Sequence, residues 1–173
     1  LNIVAKGHNA DHIYLPQINM ALAFDLDQYR PVFLKPLEGS VRDVKSLRKV
    51  LEEIHFEGIL VLDTGFSSQD LAEIMRSGMK FIMPLHRNHE MIDYNMGMGS
   101  SFDYRDREIK SGFLNRDGLR IYTFQDQMLM AEESSTFIKM IAEKRRTQKE
   151  FDSESDRFGK ISILSNVRDD PET

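Results

Sequence analysis

A chain of 173 residues has room for one ordinary domain core, with or without an insertion, and excludes two full-sized domains. Hydrophobic residues make up 40% and charged residues 29%, a globular balance that excludes a disordered tail. No apolar run of about eighteen residues occurs and residues 1–12 lack the pattern of a signal peptide, so no membrane partner is expected; zero cysteines exclude disulfides and thiolate metal sites and fit a reducing cytoplasm. A formal net charge of −5 argues against attraction to nucleic acid by the chain as a whole, so any such contact must be local.

From Gln17 to Asp25 the sequence alternates, with Ile18, Met20, Leu22 and Phe24 on one side and Asn19, Ala21, Ala23 and Asp25 on the other. This is the period of a strand. Asp27 to Arg30 is polar and ends at Pro31, so Val32 to Leu37 returns antiparallel as a hairpin, with Pro36 favouring an edge or a strand end. From Asp43 to His55, Val44, Leu47, Val50, Leu51 and Ile54 recur at helical spacing and form one apolar stripe. Gly58 then opens the run Ile59, Leu60, Val61, Leu62, which suits a strand buried on both faces of a parallel sheet and ends on Asp63. Ser67 with Asp70 resembles a capping box, and Leu71, Ile74 and Met75 give a short helix closed by Gly78. Lys80 to Leu85 is the next strand.

That order of elements predicts an α/β sheet with an antiparallel edge and helices against its faces. Residues 86–103 are polar, carry Met-Gly-Met-Gly and show no period, so a loop or an irregular entry into another subdomain is expected there. Strands follow at Glu108 to Leu114 and Leu119 to Phe124, across the turn Asn115 to Gly118. Met128 to Lys149 reads as one helix that turns basic at Lys144, Arg145 and Arg146, and Lys160 to Asn166 reads as a final strand.

Ligands of open α/β sheets gather outside the carboxyl ends of the strands, which makes Asp63 the most informative acid in the chain. It serves either as a metal-binding carboxylate or as the start of a turn before the next helix. Asp25 and Asp27 sit where turn chemistry accounts for both. His86 with His89, and His8 with His12, have zinc-like spacing but no evident third ligand.

The residues His8 to His12, Leu15 to Asn19, the hairpin with Pro31, Gly39 with Asp43, and above all Leu62-Asp63-Thr64-Gly65-Phe66-Ser67-Ser68 resemble the core of the DDE transposases of bacterial and archaeal insertion sequences. The branch is the one with a β-rich insertion. The resemblance extends more loosely through Leu119 to Asp126 and Gly159 to Asn166. It implies a ribonuclease-H-like mixed sheet, partial here, with an inserted α+β subdomain. Residues 1–85 would be the partial core, 86–157 the insertion, and 158–173 the return strand and tail. It also implies that Asp63 is catalytic and helps hold two Mg²⁺ or Mn²⁺ ions about 4 Å apart, which activate the attacking oxygen and stabilise the leaving one. Double-stranded DNA, at transposon ends and target, is the implied partner, in the cytoplasm on DNA. The parent protein would self-associate there, and Lys144, Arg145 and Arg146 would touch phosphates unless they form a plain solvated helix face.

The other two acids of the family's triad do not match. The first belongs upstream of His8, where residues 1–7 hold no acid. The last sits in a helix spaced Tyr, Arg, Glu, and only Tyr104 is followed by a correctly spaced arginine, Arg107; Ser111 stands where the Glu belongs. The expectation is therefore a central fragment of a transposase whose parent cleaves DNA and transfers strands. The alternatives are a noncatalytic remnant that at most binds DNA or a partner, and a different ribonuclease-H-like nuclease.

Overall fold

The alternating segment forms a strand in the computed structural model, which describes residues 4–6, 15–39, 50–51, 53, 58–64 and 74–168. Strand β2 (Pro16–Asp25) pairs antiparallel with β3 (Arg30–Glu38), and the short β1 (Ala5–Lys6) pairs with the other edge of β2. The register shifts between Ala23 and Phe24, where Pro31 stands opposite Phe24. Proline has no N–H to give the ladder, and a bulge absorbs the missing bond. The Asp25 carboxylate closes the turn by accepting from the Asp27 and Gln28 amides at 2.9 and 3.0 Å. At the far end, a Cβ on Gly39 would stand 2.1 Å from the Gln17 carbonyl oxygen, so only glycine fits there.

Of the expected helix over Asp43 to His55, residues 50 and 51 are helical and the rest lies outside the described residues, apart from Glu53, whose carboxylate pairs with Lys35. Residues 74–77 are helical, as expected of the segment closed by Gly78. Gly78 has φ +74° and donates to the Met75 carbonyl at 3.2 Å, a left-handed helix end.

The remaining strands form one mixed sheet of six, in the order β4-β5-β9-β8-β7-β6. β4 (Ile59–Val61) and β5 (Lys80–Pro84) are parallel, whereas β9 (Lys160–Ser165), β8 (Leu119–Asp126), β7 (Arg107–Arg116) and β6 (Ser100–Tyr104) are added antiparallel. Among the described residues the hairpin pairs with β1 and not with this sheet, so the single sheet expected from element order is two. The described chain divides accordingly into two compact units.

One face of the larger sheet carries its most deeply buried apolar side chains. Phe81, Ile121 and Leu164 are fully buried and Met83 nearly so, each contributing on the order of 1.5–3 kcal/mol by leaving water. Buried hydroxyls on this face satisfy each other, Thr123 with Ser162 at 2.9 Å. The segment before β6 lies against this face, because a Cβ on Gly112 would stand 2.5 Å from the Gly97 carbonyl oxygen. Lys160 donates to the Tyr94 carbonyl at 2.8 Å and fixes the same segment.

Three expectations change. Residues 86–103 are not irregular throughout, since β6 begins at Ser100; its hairpin turns on Arg105 and Asp106, both at positive φ, without the glycine that usually marks such a turn. The helix expected over Met128 to Lys149 is two helices, α1 (Gln127–Ala142) and α2 (Gln148–Glu154). Lys144 takes φ +57° and ends α1, and Thr147 with Glu150 forms a capping box that starts α2. Finally, among the described residues β4 is an edge strand rather than one buried on both faces: Ile59 is 43% and Val61 57% exposed.

Candidate functional site

The parallel pair β4 and β5 positions the candidate acid. Their pairing continues one residue past β4, where the Leu62 amide donates to the Ile82 carbonyl at 3.0 Å, and Leu62 packs inward at 9% exposure. Asp63 follows at once and is exposed. Its place at the carboxyl end of a strand in a parallel pair matches the expectation from the sequence. Gly65, Phe66, Ser67 and Ser68, which complete the motif, lie outside the described residues, as do His8, Asp11, His12 and Asp43.

Among the described residues no group of three or more His, Asp or Glu side chains is placed to hold a metal ion. One carboxylate does not fit a pair of divalent ions, which need several acids and water oxygens between them. Asp25, the nearest substitute in sequence terms, already uses its carboxylate on the hairpin turn. His89 accepts from the Met91 amide through Nδ1 at 3.3 Å, and its own amide donates to the His86 carbonyl at 2.9 Å, so this pair builds a turn.

The three basic residues Lys144, Arg145 and Arg146 stand exposed at the junction of α1 and α2. Arg145 pairs with Glu143 at 3.2 Å; Arg146 reaches Glu150 at 3.0 Å and Glu154 at 3.6 Å and lies 5.5 Å over the Phe137 ring. Lys144 has no ion pair among the described residues. Much of the positive charge here is therefore already balanced within the chain.

Asp126 does more than its sequence position suggests. It caps α1 by accepting from the Met128 and Leu129 amides at 2.8 and 3.1 Å, and it pairs with Arg107 at 2.8 Å. The Arg107 hydrogen bond, with the two amides, holds its carboxyl below the usual carboxylate range.

A further group of side chains carries no motif. Arg120, Tyr122 and Phe124 alternate along β8 and share a sheet face with Phe113 and Phe102 of the neighbouring strands. The period-two alternation was their only sequence signal.

No helix among the described residues is long and apolar enough to cross a membrane. Comparison with curated proteins and with solved structures gives no match. A family model does match: residues 3–152, from before β1 into α2 and including Asp63, fit the transposase DDE domain, and the chain belongs to that family.

Proposed function

We propose that this chain is a central segment of a DNA transposase whose parent cleaves DNA at element ends and joins it to a target with divalent ions, on a ribonuclease-H-like core. One observation carries the reading: in a chain of the transposase DDE family, Asp63 stands exposed at the carboxyl end of β4, beside the parallel β5. Asp63 contributes one metal-binding carboxylate, and Mg²⁺ or Mn²⁺ suits its oxygens. The remaining acids of the site are not among the described residues.

In this reading residues 1–85 belong to the core, 86–157 to an inserted subdomain, and 158–173 to the return strand and tail. The position of β9 supports it, since Lys160–Ser165 comes back to pair with β5. Duplex DNA is the partner, met in the cytoplasm. Lys144 contacts phosphate, with Arg145 and Arg146 joining where DNA displaces their carboxylates, and the parent self-associates on DNA. A noncatalytic remnant is the second reading, favoured by the single carboxylate at the site among the described residues.

Nicking of a labelled duplex in Mg²⁺ or Mn²⁺, by this chain and by Asp63→Ala, tests the assignment. No nicking by either, from folded samples, is the expected outcome where one acid of the set stands among the described residues. Nicking lost in Asp63→Ala would keep the role of Asp63 but overturn the incomplete site, with Asp25 the first acid to test next. Nicking that survives Asp63→Ala would overturn the role of Asp63 itself.

A further inference from the structure

One apolar face is enough to hold a surface helix in a fold, and α1 has two. Its inner face centres on Phe137, which is buried and packs against Phe151 of α2 and Phe158 with ring centroids 5.7 and 5.6 Å away. At about 100° per residue, Met128, Ala131, Ser135, Ile138 and Ala142 fall on a second line on the far side of the helix. All five are exposed, Met128 at 53% and Ile138 at 56%. Their spacing alternates three and four residues, which is the a and d pattern of a helix that pairs with another helix.

Charge decides what that other helix is. Glu132 and Lys139 each follow a d position and border the line on one side, whereas Ser134 and Ile141 border it on the other. Neither Glu132 nor Lys139 has an ion pair among the described residues; the cation near Glu132 is Arg107, which Asp126 already holds. A helix flanked by one acid and one base, a heptad apart on the same side, is complementary to itself when a second copy runs antiparallel to it. In that register Glu132 stands beside the partner's Lys139, and the two-fold axis makes the pair twice. The same register sets Ser135 against the partner's Ile138 and Ala131 against the partner's Ala142, so the one large side chain in these layers meets a small one. A parallel pair would instead set Glu132 and Lys139 against uncharged flanks.

We propose that the outer face of α1 is a dimer surface on which a second copy of this chain lays its own α1 antiparallel. The inner face and the Asp126 cap already order the helix, so pairing does not have to fold it first. The proposal rests on the reading that the parent self-associates, and it deepens that reading by naming a surface on an element other than the hairpin.

Sedimentation equilibrium in a Leu22→Lys background, which reduces association through the hairpin, tests it with and without duplex DNA. A monomer–dimer equilibrium is expected. Glu132→Lys and Lys139→Glu, each alone, set like charges together at two symmetric places and should weaken the dimer about tenfold. The double variant restores opposite charges and should return the affinity to that of the parent. Ile138→Asp should abolish the dimer, and far-UV circular dichroism of each variant checks that the helix is kept. A dimer that ignores the single reversals, or that the double variant does not restore, overturns the proposal and leaves self-association by another surface standing. A monomer at every concentration, with and without DNA, removes both.

Discussion

Asp126 shows how one side chain can link two elements. Its carboxylate caps α1 through the Met128 and Leu129 amides and holds Arg107 of β7. The Arg107 hydrogen bond lowers its proton affinity first, and the amides add to it. A carboxyl held low in the folded state adds stability that is full above the unfolded value of about 3.9, and that is lost as pH falls through the depressed value. Glu150, lowered by Thr147 and Arg146, acts in the same sense at α2. A carboxyl-carbon NMR titration should therefore place the Asp126 midpoint below the ordinary aspartate range, and Arg107→Gln should return it upward. An ordinary midpoint in the parent chain would contradict the pairing. At this scale the sequence placed an acid at the end of an apolar run, as at Asp63, and was silent where side chains meet only through register. Phe113 and Arg120 lie seven positions apart in the chain, and only the β7–β8 pairing across Asp117 and Gly118 brings their side chains together.

Among the elements, the strands were read most accurately where turn chemistry bounded them. Asp117 and Gly118, at φ +52° and +80°, make the two-residue turn that the sequence announces, and β7 and β8 follow. Arg105 and Asp106 make an equivalent turn without glycine, so β6 was hidden. The break between α1 and α2 was written in Thr147 and Glu150, but the apolar and basic residues running through it concealed the stop at Lys144. The hairpin presents a different case. Its alternation was plain, yet the apolar side faces water: Met20 is 63%, Leu22 61% and Leu34 58% exposed. Exposed contiguous apolar strand faces drive association. Sedimentation velocity of the isolated chain should show concentration-dependent self-association, reduced by Leu22→Lys. A monodisperse monomer that unfolds cooperatively would contradict this expectation.

For the whole molecule, the order of motifs gave more than any single one. The family was legible from the hairpin, Gly39 and the segment around Asp63, and the match over residues 3–152 agrees. What the sequence could not give was the sheet order, because β9 enters between β5 and β8 from residues far along the chain. The proposed meeting of a divalent ion with this chain at Asp63 is tested by Mn²⁺ titration of the isotopically labelled chain by NMR. Amide signals of Leu62, Asp63 and Thr64 should broaden first, and Asp63→Asn should abolish the effect. Broadening centred elsewhere, or unchanged in the variant, would contradict it.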